Sequence, residues 1–432
     1  MISWNKNYKI FYLFVIIGSS VIFFLNFYFR DYLIAGSKSD FNTFVFNNIQ
    51  IFKLDFISAI RNYSNLGDAN WPLLYVFHAY LNPFSSNSEH YLITTSLIGF
   101  TTFIILSISF KNKNFNNFES FALASLILLL PWFNGRAHWG TSANLGWFFF
   151  SVSVYLFIKL ENNFQNSDKK KIILLFLFCL FSSLSLYSRL SLSFFCLFFT
   201  LNYYLTEETK KNKFFITLFY ILFSIPGIML IYTWGGLLDF SNSNHNPDDH
   251  HYKNIFKNIP IILNYFFFYL WPIFFIEFLN KGFKKILKEH YQACILIISV
   301  FLVLFFNNAL DYLSDYSYGG GVILKFGYLI GDKYNLIFSI TSILGGCIIY
   351  NFIRENFKNN FLLFICIFFI YGHSIRLFQD YLEPLIFVLF FSGLIKSDKL
   401  ELVKKKFNLV LIIYFIYFMI YNCSTIIYKQ YF

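Results

Sequence analysis

Charge is what this chain has least of. Asp, Glu, Lys and Arg make up 13% of its 432 residues, against about 25% in a soluble domain. The few charges fall between long runs of Phe, Ile, Leu and Tyr. Residues 30–71 form the longest stretch without such a run, so no soluble domain is attached. The six cysteines lie mostly inside apolar runs, and no C-x-x-C spacing occurs. That argues against a metal or disulfide framework and for small buried side chains. Gly319-Gly320-Gly321 gives hinge freedom, but no Gly-Lys-Ser/Thr follows it, so nucleotide binding is unsupported. No internal repeat is visible. The run at 10–29 is too long for a signal peptide core, and no A-x-A step follows it. An uncleaved first span is expected there.

What is there is a series of apolar runs, each near the 20 residues or so that a helix needs to cross a hydrocarbon core of roughly 30 Å. They predict an all-α, polytopic transmembrane helical bundle of about thirteen spans, forming one domain over 1–432. The spans are expected at 10–29, 90–110, 118–133, 143–160, 172–188, 190–205, 214–234, 260–279, 291–307, 334–353, 360–373, 380–395 and 408–427. The pair within 172–205 is one long apolar stretch broken at Ser188-Arg189 and reads as two short helices meeting at a polar tip. A first loop over 30–89 is expected to carry juxtamembrane helices. Its segment between Pro72 and Pro83 is too short to cross and reads as an interfacial helix. The bundle over 90–432 follows.

The net charge of +11 reads as cytoplasmic loop bias rather than nucleic-acid binding. Lys6, Lys9, Lys111, Lys113, Lys159, Lys169–Lys171, Lys210, Lys211, Lys213, Lys281, Lys284, Lys285, Lys288, Arg354, Lys358, Lys396, Lys399 and Lys404–Lys406 fall on alternate turns. That alternation places the N-terminus in the cytoplasm and the C-terminus outside. The outer loops then hold Asp, His, Arg, Trp, Tyr and Gly, so chemistry is expected on the outer face. The Phe excess fits AT-rich coding and carries no functional signal. Trp132, Trp139, Trp147, Trp234 and Trp271 sit near span ends and read as interfacial anchors.

Asp31, Asp40, Asp55 and Asp68 lie in the first loop. Each reads alone as a solvated acid, yet an Asp close to the membrane surface can act as a base toward a hydroxyl. Arg189 interrupts an otherwise apolar stretch, which marks it among the arginines. Arg136 and Arg376 at span ends also fit snorkelling to the interface. His245, Asp248, Asp249, His250 and His251 have the ligand types for a divalent ion. Ser241-Asn242-Ser243-Asn244 beside them reads as a solvated loop.

The order of these features resembles the GT-C superfamily of integral-membrane glycosyltransferases, in the branch related to protein O-mannosyltransferases and the lipid A aminoarabinose transferase. Asp40 matches the early loop acid. Trp71-Pro72-Leu73-Leu74-Tyr75 resembles a PPLYY-like segment, and Asn87-Ser88-Glu89 resembles the step into the second span. Gly135-Arg136-Ala137-His138 resembles the arginine loop above span 3. Tyr187-Ser188-Arg189-Leu190-Ser191 resembles the LTKGP/LTR tip. Asp380-Tyr381-Leu382-Glu383-Pro384 resembles RYLLP. The likeness covers 10–205 well and the remainder loosely. Phe41 stands where the family often has a second acid, and Asp380 where it has Arg, with Arg376 about one turn upstream.

The resemblance implies an inverting glycosyltransferase on the outer face of a bacterial inner membrane. The donor would be a sugar on a polyprenyl phosphate, and the acceptor an envelope glycan, glycolipid or protein. Asp40 would be the catalytic base. Arg136, His138, Arg189, Arg376, Tyr381 and Asp68 would bind substrate. No metal ligand is assigned, and a divalent cation stays open as the one cofactor. Two other readings stand beside this one, a flippase or exporter of lipid-linked oligosaccharide and an oligosaccharide polymerase. A transporter should carry mid-span ionisable residues and related halves. A polymerase should carry its largest loop late. Neither feature is seen. A non-catalytic scaffold is the remaining reading.

Overall fold

The computed structural model describes residues 6–33, 37–66, 70–111, 115–162, 168–206, 210–236, 253–282, 291, 295, 298, 321–331, 336–373, 377 and 379–431. These residues form helices joined by short turns, with no strand among them. Eight of the helices are long and apolar enough to cross a membrane, or nine if one bent pair counts as a span. The protein is thus a multi-pass helical membrane protein. It divides into two compact units, one of Met1–Pro247 with Phe415–Phe432 and one of Asp248–Tyr414.

The first unit begins with α1 (Lys6–Asn26). The loop after it is a packed module rather than a tether. It holds α2 (Ser37–Asp40), α3 (Phe46–Leu54), α4 (Phe56–Arg61) and α5 (Leu73–Tyr80). Phe41, Ile49, Phe52, Tyr63, Leu74 and Tyr75 are buried together, and each such side chain contributes about 1.5–3 kcal/mol. The Asp55 carboxylate accepts from the Ser58 amide at 3.0 Å and caps α4. Asp55 is therefore structural. The α5 helix lies where the interfacial helix was expected, with Leu74, Tyr75 and His78 buried.

The long helices α6 (Ser88–Lys111) and α9 (Ser142–Asn162) pack together. Between them the expected straight span at 118–133 is broken. The helix α7 (Asn117–Ser125) runs into a tighter turn over Leu126–Leu129, and α8 (Pro131–Trp139) leaves at 75° to it. Proline explains the break. Its ring disfavours helical backbone at the preceding residue, and Leu130 is extended. Pro131 then starts α8, where its missing N–H costs nothing. The carbonyls this frees are buried and need donors. Asn134 donates to the Leu128 carbonyl at 2.9 Å and Asn422 to that of Leu129 at 3.0 Å.

Downstream, α10 (Asp168–Ser188) ends where Arg189 turns extended. A short turn then leads into α11 (Ser193–Thr206), and α12 (Lys210–Trp234) follows. The sequence break at Ser188-Arg189 is thus a real one. The apolar stretch after it, Leu190–Leu205, falls short of a spanning helix.

In the second unit α13 (Lys253–Lys281) packs along α15 (Leu336–Glu355). The helix α14 (Gly321–Leu329) precedes α15 in the chain. Backbones meet at the α13–α15 contact, because a Cβ on Gly345 would overlap the Leu263 carbonyl. Close approach of this kind needs glycine. Ser342 donates to the Pro260 carbonyl at 2.9 Å and Asn264 to Thr341 at 2.7 Å across the same contact. The helix α16 (Phe357–Gly372) has 16 residues and is shorter than a spanning helix.

The expected span at 380–395 is replaced by α17 (Leu385–Phe391), which has seven residues. Gly393 turns the chain just beyond it at φ +71°. Every residue of α17 is buried in protein, so its apolarity serves packing rather than lipid. Last come α18 (Lys399–Lys405) and α19 (Phe407–Tyr431). The expected span at 291–307 lies almost wholly outside the described residues.

Candidate functional site

The bend into α8 decides where its charged residues go. Arg136 and Trp139 are three apart on that helix and share a face. The Arg136 guanidinium lies 2.9 Å from the Asp40 carboxylate, joining residues 96 apart in sequence. The Asp40 side chain is 45% exposed and that of Arg136 14%, so the pair sits at a rim, with the acid on the open side.

Asp40 ends α2 and opens a π-helical turn over Phe41–Val45. Such turns are costly in local geometry and concentrate at functional sites. This one is pinned by its first residue. The Phe41 ring packs 5.9 Å from Tyr91 and 5.3 Å from Trp139, centroid to centroid. Tyr91 in turn donates to the Gly140 carbonyl, which closes α8. Gly140 sits at φ +60°, where a side chain would be strained and would meet Tyr91 and Thr95. The acid and the arginine are thus held by one aromatic wall.

A second arginine stands at the same wall. Arg30 stacks its guanidinium 4.3 Å from the Phe27 ring and 5.2 Å from Trp139. It donates to the Phe27 carbonyl at 3.0 Å and lies 3.6 Å from Glu89. Its Nε is buried and makes no hydrogen bond. Close by in sequence, Lys38 pairs with Asp31 at 2.6 Å in the open. Sequence reasoning passed over Arg30. Its one signal was its position, directly after the first apolar run.

Among the other residues singled out from sequence, His138 is fully buried. It bonds Ser96 through Nδ1 and the Phe23 carbonyl through Nε2, both at 2.9 Å. Those bonds tie α8 to α1 and α6, which makes His138 a structural residue here. Arg189 is 6% exposed, and its Nε lies 3.3 Å from the Ser191 hydroxyl. Tyr187, two residues before it, stacks on Trp71 of the first loop at 5.1 Å. Trp139 and Trp147 are buried in protein, where interfacial anchors were expected. Tyr381 belongs to the second unit, 6.4 Å from Tyr371 ring to ring. Asp68, Arg376 and the run His245–His251 lie outside the described residues. Among the described residues no group of three or more His, Cys, Asp or Glu is placed to hold a metal.

The second unit holds two buried polar clusters that sequence did not foretell. Glu277 and Lys399 pair at 2.5 Å, with side chains 5% and 6% exposed, and Lys281 and Glu355 lie beside them. Lys399 had read as an ordinary loop lysine. In the other cluster Glu383 bonds the Tyr269 hydroxyl, which also accepts from Gln379 at 2.7 Å.

His78 is buried, with its ring 4.8 Å from that of Tyr91. Burial pushes its imidazole down from 6.5 to about 3, because the charged form would lose its water. Its Nδ1 accepts from the Asn82 amide at 3.0 Å.

Comparison with protein-family models, curated proteins and solved structures finds no match to this chain.

Proposed function

We propose that the protein is an inverting glycosyltransferase of the GT-C type. It moves a sugar from a polyprenyl phosphate to an envelope glycan, lipid or protein on the outer face of the bacterial inner membrane. The observation that carries the reading is the Asp40–Arg136 pair. Two residues that the resemblance marks for different roles, catalytic base and substrate-binding arginine, meet at 2.9 Å although 96 residues separate them.

The chemistry follows from that contact. The acceptor hydroxyl gives its proton to the Asp40 carboxylate as its oxygen attacks the anomeric carbon. The bond from that carbon to the phosphate oxygen breaks, and its electron pair leaves with the polyprenyl phosphate. Negative charge grows on the phosphate, and Arg136 stabilises it by charge-assisted hydrogen bonds at a half-buried rim. In the resting protein Arg136 holds Asp40 in place. The arriving phosphate competes for the guanidinium and frees the carboxylate to act.

Mass spectrometry of envelope glycolipids and glycans tests the proposal. A deletion strain is compared with the same strain carrying wild type or Asp40→Asn. Loss of one sugar, restored by wild type alone, is the expected result. Accumulation of a complete lipid-linked oligosaccharide, cured equally by both genes, would point to transport and retire the enzyme reading.

A further inference from the structure

A proline and a foreign hydroxyl group interrupt α12 about two turns before its C-terminal end. Pro226 has no N–H to give the Leu222 carbonyl. One residue on, the Gly227 N–H and the Phe223 carbonyl would pair in an unbroken helix. Each of them meets the Tyr187 hydroxyl of α10. Gly227 donates to that hydroxyl at 3.2 Å, and the hydroxyl donates to Phe223. Prolines and side chains inserted into the backbone ladder are where helices bend. Here the two coincide.

The helix beyond this point is lightly held. Within the protein 11% of the apolar stretch of α12 is buried, the lowest share among the eight spanning helices. Ile228, Met229 and Tyr232 are exposed. Contacts hold the segment at both ends. Gly227 lies flat against the first loop, where a Cβ would come within 2.7 Å of the Trp71 ring, and that ring stacks on Tyr187. Seven residues later the Trp234 ring stacks on Tyr63 at 4.9 Å, and its Nε1 donates to the Ile60 carbonyl at 3.0 Å. Gly235 follows at φ +71° with open space around it. Few buried contacts mark the parts of a fold that open at low cost.

We infer that Gly227–Trp234 is a hinged lid on the first-loop module, with the Tyr187 hydroxyl as the latch at its hinge. In the closed state the hydroxyl bridges Gly227 and Phe223. When it withdraws, the amide and the carbonyl pair with each other and the hinge straightens. The Gly227 and Phe223 groups are thus satisfied either way, as a membrane demands, so neither state carries an unpaired group at the switch. Opening lifts Gly227 off Trp71 and Trp234 off Tyr63. Trp234 packs against the same buried cluster that holds Phe41, the neighbour of Asp40. The lid position therefore bears on how firmly the acid is held. The motion stands without the transferase reading, and only its effect on turnover rests on that reading.

The test is a distance measured by double electron–electron resonance on the full-length protein in phosphatidylglycerol nanodiscs. Nitroxides are attached through p-acetylphenylalanine in place of Leu54 and Tyr232, which are 87% and 89% exposed. A hinge of about 20° on a lever of about 10 Å moves its tip by about 3 Å. The protein with Tyr187 and Trp234 intact should show mainly the shorter distance. Tyr187→Phe removes the latch and Trp234→Phe weakens the far contact, so each should enlarge the longer population. In both variants kcat and KM for sugar transfer should change together, as hinge substitutions make them do. One unchanged distance distribution in all three proteins would overturn the lid, and a lower melting temperature with that same distribution would make Tyr187 a static brace. Shifted distances with unaltered kinetics would overturn the link to Asp40. Shifted distances in a protein that transfers no sugar would leave the lid standing and sink the transferase reading.

Discussion

The Arg136 guanidinium and the Asp40 carboxylate meet at 2.9 Å, one carried by a helix bent at a proline and the other by a π-helical turn. Neither element is a low-energy default. Each is held by buried aromatic packing around Phe41, Tyr91 and Trp139. Local geometry that costs energy and converges on one ion pair is expected where the pair has work to do.

Arg136 should matter more to the rate than to folding. Arg136→Gln is expected to lower kcat by about 100-fold or more with a smaller change in KM, since in the proposed reaction its charge meets the leaving phosphate in the transition state. Arg136→Lys should recover part of the loss but not all, because a point charge lacks the two-toothed guanidinium geometry. Steady-state kinetics on purified protein give the split. A pure KM effect would reassign Arg136 to ground-state binding.

Gly140 should tolerate no side chain. Gly140→Ala places a Cβ at φ +60° and within 2.7 Å of the Tyr91 hydroxyl. Destabilisation of about 1–3 kcal/mol is expected, with activity falling in step because α8 carries Arg136. Thermal melting in detergent, read beside turnover, checks both. An unshifted melting temperature would mean that the end of α8 is free to relax.

Much of this arrangement could be read from sequence. Asp40, Arg136 and Arg189 stand out because charges at the edges of apolar runs are few. The break at Arg189 was visible for the same reason. Other features were hidden, because hydropathy records apolarity and not whether lipid or protein supplies the contact. Leu385–Phe391 therefore passed for part of a span although it is a short buried helix. Trp139 passed for an interfacial anchor although it forms the wall of the site. Lys399 passed for a loop lysine, because its partner Glu277 is 122 residues away in the chain. Pro131 lies inside the span expected at 118–133, which read as unbroken, and the 75° turn there depends on distant donors such as Asn422.

The Glu277–Lys399 pair predicts an asymmetric response. Lys399→Met leaves a buried carboxylate with less compensation and should cost about 3–5 kcal/mol. Glu277→Leu combined with Lys399→Met removes both charges and should regain most of that loss. A double-mutant cycle on melting free energies provides the coupling. Simple additivity would show that the two side chains do not depend on each other.

His78 predicts acid sensitivity with a definite sign. The folded protein keeps the imidazole neutral down to about 3, while an unfolded chain protonates it near 6.5. Between those values the unfolded state binds the extra proton, so stability falls as pH falls through that window. At pH 5 the loss from this residue is roughly 2 kcal/mol. Hydrogen exchange of the α3–α5 module at pH 7 and pH 5 should show faster opening at pH 5. His78→Asn should remove most of the difference, and an equal pH effect in that variant would assign the sensitivity elsewhere.

The central claim is that Asp40 takes the acceptor's proton. The most direct measurement is single-turnover sugar transfer from a polyprenyl-phosphate donor by purified wild type and Asp40→Asn, with melting temperatures recorded alongside. Loss of a general base predicts a rate lower by about 100-fold or more. Donor binding and folding should be retained. Transfer by Asp40→Asn at the wild-type rate would contradict the account.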